Sequence, residues 1–206
     1  MYTKAIKPVL DIIIAIIALI ILFPVFLLIS IIIKMSSKGP VFFKQDRIGK
    51  NKRIFKCYKF RTMRIDTPKD VPTHMLENPE KYITKIGSLL RKTSLDELPQ
   101  IINVAGGKMS IVGPRPALYN QDDLVEERDK YGANDIKPGI TGLAQINGRD
   151  ELEIPIKAKY DGEYAENQSF KFDVKIFFKT FLSILKKEGV REGKSSTDDN
   201  VESEEW

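Results

Sequence analysis

An apolar run near the N-terminus, from Ile12 to Ile33, decides the environment in which this chain folds. Its 22 residues include no charged side chain, and only Pro24 and Ser30 interrupt its apolar character. As a straight helix the run would be about 33 Å long, which matches a hydrocarbon core of about 30 Å. It is too long for the apolar region of a signal peptide. We therefore predict a permanent membrane segment.

Pro24 lies near the middle of this run and governs its shape. Proline lacks an N–H and its ring clashes with the carbonyl four residues back, so it kinks or breaks a helix. Two arms of about eleven residues would each reach about 17 Å, roughly the bilayer midplane. A hairpin that enters and leaves by the cytoplasmic face is favoured by lysines on both flanks: Lys4, Lys7, Lys34 and Lys38. A spanning helix with a tolerated kink is the alternative, and both remain open.

The chain after the apolar run is strongly basic. Residues 34–64 hold eleven Lys or Arg residues and one acid, Asp46, a net charge of +10, whereas the whole chain carries +5. Beside a membrane segment, such a block is attracted to anionic lipid head groups. An ordinary solvated basic surface is the alternative.

Cysteine and histidine counts exclude several kinds of site. The chain has one cysteine, Cys57, and one histidine, His74. An internal disulfide and a histidine-rich or two-histidine metal site are therefore excluded. Proton transfer and nucleophilic attack fall to carboxylates, Lys, Ser or Tyr.

A β-hairpin is predicted within the basic block. Val41 to Phe43 and Arg53 to Met63 have the composition of strands, with a turn at Gly49-Lys50-Asn51 between them. Alternation along the second strand puts Lys59 and Arg61 on one face, where they would emerge side by side and suit a phosphate group.

Two helices and a tail are predicted farther along. One helix begins at Asn78-Pro79. The other runs from Asp173, its capping residue, to about Lys187, with aromatic residues on one side and lysines on the other. This basic amphipathic helix would lie in the membrane interface or pack on a core.

Residues 189–206 carry a net charge of −4 and are expected to form an acidic flexible tail without catalytic function.

Two adjacent carboxylates, Asp96 and Glu97, are the strongest candidates for chemistry. Ser94 and Glu97 have the spacing of a capping box, so we predict that a helix begins here, at Ser94 or as late as Asp96. The positive end of a helix keeps a carboxylate ionised and attracts phosphate. An ionised carboxylate can attack phosphorus, and its neighbour can help to hold Mg²⁺. Plain capping is the alternative.

Two rigid loops follow. Prolines flank Arg115 in Gly113–Pro116, which suits a preorganised arginine that binds phosphate. The second loop, Pro138–Gly142, leads into 143–149 and could contact a nucleotide through Thr141, Gln145 and Arg149, or could be a turn and a strand. A phosphate-binding P-loop and a dinucleotide fingerprint are both absent from the sequence.

Together these segments resemble the bacterial sugar transferases, the monotopic phosphoglycosyl transferases. Each piece is weak alone, but the ordered set is specific and covers residues 1–187. The matching pieces are the apolar segment with Pro24, Gln45–Gly49, Lys59–Met63, Arg91–Gln100, Val112–Pro116 and Pro138–Arg149.

The resemblance implies roles for individual residues. Asp96 matches the nucleophile, which attacks the sugar-linked phosphate of a UDP-sugar and releases UMP. Glu97 matches its partner, and the pair lies at the Mg²⁺ site. Polyprenol phosphate then attacks the covalent intermediate. Arg115 matches a phosphate-contacting arginine, and Arg91 an arginine near the membrane face.

Within the family, the chain is most similar to the transferases that initiate bacterial N-linked protein glycosylation. That implies UDP-N,N'-diacetylbacillosamine as donor and undecaprenyl phosphate as acceptor. The family also favours a re-entrant hairpin bent at Pro24. Relatives often have a small polar residue before this proline, whereas this chain has Phe23, which cannot take up the broken backbone hydrogen bonds.

The expected fold is mixed α/β, dominated by helices, with a small sheet, a re-entrant membrane hairpin and interfacial amphipathic helices. The expected parts are a membrane-embedded segment 1–36, a cytoplasmic interfacial catalytic domain 37–188 and the tail 189–206. The expected location is the bacterial inner membrane, with the active site on the cytoplasmic face, membrane lipids as partners and no nucleic acid.

Two rival functions are carried forward. A membrane-anchored basic binding protein explains the +10 block but not the two proline-flanked loops. A UDP-sugar hydrolase would keep the carboxylate pair and need no lipid acceptor.

Overall fold

A computed structural model of the chain describes residues 1–67, 79–148 and 152–186. Helices dominate these ranges, as predicted. The strands form two separate two-stranded sheets, whereas a single small sheet was expected. The elements are α1 (Lys7–Ser36), β1 (Phe42–Ile48), β2 (Ile54–Phe60), α2 (Lys85–Lys92), α3 (Gln100–Ala105), β3 (Ser110–Val112), α4 (Asp122–Asp129), β4 (Gly139–Thr141), α5 (Leu143–Ile146), α6 (Ile154–Glu166) and α7 (Phe170–Lys186).

The N-terminal helix α1 continues through Pro24. Together with the π-helical turn Tyr2–Ile6 it forms one helix that is long and apolar enough to cross a membrane. The middle of the helix is exposed: Ile20, Ile21 and Phe23 each expose about two thirds of their surface. Its two ends, in contrast, both pack on the rest of the protein.

The first end of α1 is tied down by a buried polar network. The Lys7 ammonium donates to Asp173 of α7 at 2.7 Å, and Tyr164 of α6 donates to the other oxygen of that carboxylate at 2.6 Å. One turn later, Asp11 accepts a 2.6 Å hydrogen bond from Ser110 of β3. All five residues are buried. Lys7 is therefore not a flanking charge exposed to head groups, as its place in the sequence suggested.

The second end of α1 packs on the hairpin and on α2. Ile29 and Ile33 are buried in a cluster with Phe60 and Leu90. Arg61, itself buried, then donates to the Ser37 and Lys38 carbonyls at 2.8 Å, and so satisfies acceptors at the C-terminal end of the helix.

The predicted hairpin is present, but its first strand is longer than predicted and its second strand is shorter, since β2 ends at Phe60. β1 and β2 are antiparallel and pair Gln45 with Cys57. The helix α3 docks on β2 through one side chain, because Asn103 accepts from the Tyr58 N–H at 2.9 Å and donates to the Lys56 carbonyl at 2.7 Å. The amide of Asn103 thus takes the place of a neighbouring strand and fixes α3 beside β2.

The second sheet joins the two proline-containing loops. β3 and β4 are parallel, with Ser110 opposite Gly139 and Val112 opposite Thr141. Gly113 and Gly139 approach so closely that a Cβ on Gly139 would lie 2.1 Å from the Gly113 nitrogen. Only glycine permits this backbone contact, so the sequence Pro138–Gly142 serves as a support for the loop that carries Arg115.

Other boundaries differ from the prediction. α2 begins after Thr84, whose hydroxyl accepts from the Gly87 N–H, and not at residue 78. α7 begins at Phe170, so Asp173 lies inside the helix and binds Tyr2 and Lys7 instead of capping it. The predicted tail 189–206, Asn78 and His74 lie outside the described residues.

We expect Asp173→Asn to destabilise the protein by about 3–5 kcal/mol, because it leaves the Lys7 ammonium buried without its counter-charge. The matched control is Asp46→Asn, which removes one partner of the exposed Lys56–Asp46 pair and should cost about 1 kcal/mol or less. Thermal unfolding of both variants in lipid nanodiscs measures the difference. Equal shifts would show that the network does not hold α1 in place.

Candidate active site

Asp96 and Glu97 lie in a 3₁₀ turn, Leu95–Glu97, between α2 and α3. Ser94, before the turn, has a left-handed backbone with φ of 55° and caps nothing with its side chain. The predicted capping box is therefore wrong. A three-residue turn also lacks the dipole of a long helix, so the charge state of this pair must be set by other groups.

Two cations hold the Glu97 carboxylate. Lys59 of β2 donates to its Oε1 at 2.7 Å, and Arg115 contacts both oxygens, at 2.8 and 3.2 Å. Burial alone would raise the pKa of Glu97, but Arg115 and Lys59 outweigh it and hold the pKa well below its ordinary value. Glu97 is therefore a fixed anion that orients the two cations.

Asp96 has the opposite character. Only 9% of its surface is exposed, and burial raises the pKa of its carboxyl above the ordinary value, while the charge of Lys59 opposes that rise. Among the described residues, no side chain donates a hydrogen bond to this carboxylate. A buried carboxylate without donors is more nucleophilic than a solvated one, whereas Glu97 is neutralised by its partners.

Arg91, which lies on α2, is the third cation near the two carboxylates. Its Nε donates to the hydroxyl of Thr62 at 3.0 Å, and its charge lowers the pKa of Asp96. The structure thus brings together five of the predicted site residues, from four parts of the chain: Asp96, Glu97, Lys59, Arg91 and Arg115.

Other predicted site residues are placed elsewhere. Arg61 follows the end of β2, so strand alternation does not apply to it, and its guanidinium binds the end of α1 instead of standing beside Lys59. Thr141 is buried and hydrogen-bonded to Thr180 of α7 at 2.5 Å. Gln145 donates to the Ile140 carbonyl, and Arg149 lies outside the described residues. Thr141 therefore ties its loop to α7, and Gln145 stabilises the loop itself.

The chain around Arg115 is held on both sides. The carbonyl of Pro114 accepts from the Gly139 N–H at 2.8 Å. The carbonyl of Pro116 accepts from Arg47 of β1 at 2.9 Å. Arg47 was not among the predicted site residues. It lies within the matched segment Gln45–Gly49, but nothing in its spacing indicates a contact 69 residues away.

A small cavity adjoins these cations. The Gln100 side chain, 2% exposed, reaches it from α3 and is a second residue that the sequence did not indicate. The cavity is lined by Arg47, Cys57, Lys59, Gln100, Arg115 and Pro116.

Comparison with known proteins now decides the family. The model of the bacterial sugar transferases matches residues 2–187. The chain belongs to this family. The predicted enzyme class, a phosphoglycosyl transferase, is thereby confirmed, and the rival of a protein that only binds is not supported.

Relatives with assigned names fall into two groups. The exopolysaccharide production protein ExoY of Sinorhizobium fredii is 38% identical over 91% of this chain and 92% of its own length. The UDP-glucose:undecaprenyl-phosphate glucose-1-phosphate transferases of Escherichia coli and Xanthomonas campestris are 43% and 41% identical, over 38% and 40% of their longer chains. This chain thus matches less than half of the length of those longer enzymes.

We expect Lys59→Gln to raise the pKa of Asp96 further, because the positive charge that favours its ionised form is lost. If the ionised form of Asp96 is the nucleophile, the acid limb of the pH–rate profile for sugar-phosphate transfer should move to higher pH, and the rate should also be lower at all pH values. Lys56→Gln removes an exposed lysine from the same strand and should leave the limb unchanged. An unchanged limb in Lys59→Gln would contradict this account.

Proposed function

We propose that the protein transfers a sugar-1-phosphate from a UDP-sugar to undecaprenyl phosphate through a covalent intermediate on Asp96. The observation that carries the proposal is the contrast between two adjacent carboxylates: Glu97 is neutralised by Lys59 and Arg115, and Asp96 is buried without a donor among the described residues. One carboxylate is reserved for organising cations and the other for attack.

In the proposed first half-reaction, an Asp96 oxygen forms a bond to the sugar-linked phosphorus and the bond to the bridging oxygen breaks. The electron pair leaves with UMP, and an acyl phosphate that carries the sugar remains on Asp96. Arg91, Arg115 and Lys59 supply positive charge around the reacting phosphates, which stabilises the charge that develops on them.

In the second half-reaction, an oxygen of the lipid phosphate attacks the same phosphorus. The bond to Asp96 breaks, and the carboxylate is regenerated with the product bound to lipid as a diphosphate. No proton transfer from a side chain is required, because both nucleophiles are anions.

Mg²⁺ is proposed as a cofactor, with Asp96 as its protein ligand. Both oxygens of Glu97 already accept from Lys59 or Arg115, so Glu97 fits poorly as a second ligand in this arrangement. Mg²⁺ is commonly held by one or two carboxylates together with substrate phosphates. When bound, it would offset the negative charge of the diphosphate and the nucleophile.

A re-entrant membrane arrangement is proposed for α1. Lys7 and Asp11 at one end, and Ile33 at the other, contact the same body of helices and sheets. That body lies on one side of the bilayer, so both ends of α1 lie there too, and the bare middle around Pro24 dips into the apolar layer. The cytoplasmic face of the inner membrane is the proposed side, since UDP-sugars are cytoplasmic and residues 34–64 are basic.

The outer side of α7 supports the same placement. Phe178 and Phe181 expose 62% and 60% of their surface, and Leu182 exposes 56%. An apolar stripe of this size on a basic amphipathic helix suits the head-group region. The other side of α7 packs inward through Ile176, which is fully buried. One face of α7 thus packs on the core, and the membrane interface is the proposed environment of the other face.

For the donor, we propose a UDP-hexose and place UDP-glucose first, because relatives named for a donor are named for UDP-glucose. UDP-N,N'-diacetylbacillosamine, which the sequence resemblance implied, remains the second donor to test. The relatives named for exopolysaccharide production favour a glycan product over a glycoprotein.

Asp96→Asn should lower UMP release from the true donor by about a thousandfold or more, since it removes the nucleophile. After the first turnover, wild type should continue to release UMP only when undecaprenyl phosphate and Mg²⁺ are both present. Assays with UDP-glucose and UDP-N,N'-diacetylbacillosamine in parallel identify the donor.

Asp123→Asn, which changes an acid on α4, is the matched control and should retain full activity. Multiple turnovers without lipid would favour the hydrolase. Full activity of Asp96→Asn would remove Asp96 from the chemistry, and an enzyme that ignores Mg²⁺ would remove the metal.

Single cysteines at the two ends of α1 test the re-entrant arrangement. Lys4→Cys and Lys38→Cys, each made in a Cys57→Ser chain, lie at exposed positions on either side of the apolar run. In inverted and right-side-out membrane vesicles, a membrane-impermeant maleimide should label both cysteines from the cytoplasmic face. Labelling from opposite faces would establish a spanning helix.

A further inference from the structure

We propose that Arg47 is a positioning residue that aims Arg115 at the carboxylate pair and does not itself act on substrate. This inference rests on the proposed function, in which Arg115 contacts the reacting phosphates. Its basis is the way in which the segment around Arg115 is suspended between the two sheets.

Arg115 is flanked by two prolines, and their carbonyls are the points at which the loop is attached. On the side of the parallel sheet, Gly139 holds the Pro114 carbonyl. On the side of the hairpin, the Nη1 of Arg47 holds the Pro116 carbonyl at 2.9 Å. The next residue continues the attachment, because the Ala117 carbonyl accepts from the Ile48 N–H at 2.9 Å.

The guanidinium of Arg47 is itself fixed. Its Nε and Nη2 both donate to Oε1 of Gln45, at 3.2 and 2.8 Å. Gln45 and Arg47 are two residues apart on β1, so their side chains share one face of the strand. A planar guanidinium can hold Gln45 with one edge and the Pro116 carbonyl with the other, and an ammonium cannot.

Prolines explain why a side chain is needed here. Pro114 and Pro116 have no N–H, so neither residue can donate a backbone hydrogen bond to a sheet. Their carbonyls are the backbone groups that can still be held, and Gly139 supplies a backbone N–H for that of Pro114. For the Pro116 carbonyl, on the side of the hairpin, the donor is the side chain of Arg47.

The consequence for the site follows from the bidentate contact of Arg115 with Glu97. That contact needs both guanidinium nitrogens within about 3 Å of the two oxygens. A shift of about 1 Å in the loop would break it, and displacements of that size in an active site can lower the rate about a hundredfold.

A double-mutant cycle between Arg47→Gln and Arg115→Gln tests the inference, with kcat for UMP release measured in nanodiscs that contain undecaprenyl phosphate. We expect each single change to lower kcat by about 10- to 100-fold. The double variant should be within about threefold of Arg115→Gln alone, since Arg47 acts through Arg115. Losses that multiply in full would mean that Arg47 acts on substrate by itself and would overturn the proposal.

Conservative variants separate geometry from charge. Arg47→Lys keeps the charge but not the two-edged contact and should be as defective as Arg47→Gln. Gln45→Leu should lower kcat as well, but by less than Arg47→Gln does. Gln45→Glu keeps an oxygen that accepts from Arg47, so it should retain activity close to that of wild type. Full activity in Arg47→Lys would show that charge alone matters and would also overturn the proposal. Arg53→Gln, an exposed arginine of the same hairpin, is the matched control and should be unaffected.

Two checks make the outcome unambiguous. Thermal unfolding identifies any variant that fails to fold, and in that event the Gln45 variants decide. Wild type is tested with UDP-glucose and UDP-N,N'-diacetylbacillosamine. No turnover with either donor would count against the proposed function, whereas an active wild type with multiplicative losses would count against the role of Arg47 alone.

Discussion

Two neighbouring carboxylates in a largely buried site cannot both be charged unless cations compensate them, and the catalytic half of this protein is organised around that requirement. Lys59 from the hairpin and Arg115 from the loop after β3 converge on Glu97. Their contacts fix the hairpin, the 3₁₀ turn and the Arg115 loop relative to one another. Asp96 is left buried and without a side-chain donor among the described residues, and nearby Lys59 favours its ionised form, which is the form required by the proposed attack on phosphorus.

Paired charges also fix the N-terminal end of the apolar helix α1. Lys7 and Asp11 stand on one face of α1, one turn apart, and both are buried against the body of the protein. The bare apolar middle of the helix therefore projects from a base that is held by charge. The proposed re-entrant arrangement would place the carboxylates at the height of the head groups, where a lipid phosphate and a soluble nucleotide can meet.

Sequence patterns predicted the parts of this site that depend on chemistry. Asp96, Glu97, Lys59 and Arg115 could be picked out because carboxylates and rigidly held cations suit phosphate, whereas Arg91 was indicated only by the family resemblance. Patterns failed where a residue type serves two purposes. Arg61 looked like a phosphate ligand by strand alternation, but the strand ends at Phe60. Thr141 and Gln145 looked like nucleotide contacts, but Thr141 is hydrogen-bonded to Thr180 of α7, and Gln145 is hydrogen-bonded to the Ile140 carbonyl of its own loop. Contacts such as Lys7 with Asp173 or Arg47 with Pro116 join distant segments and leave no local signal.

The Lys7–Asp173 pair also sets an order of events during synthesis. The two residues are separated by 166 positions. At ribosomal rates of about 5–20 residues per second, the apolar helix meets the bilayer about 8–33 seconds before its partner is made. During that interval Lys7 and Asp11 can pair with each other but lack the contact of Lys7 with Asp173. The last helix, α7, thus completes the contacts that hold the first helix, α1. A nascent chain that stops before α7 has the apolar helix but lacks the residue that binds its N-terminal end, Asp173.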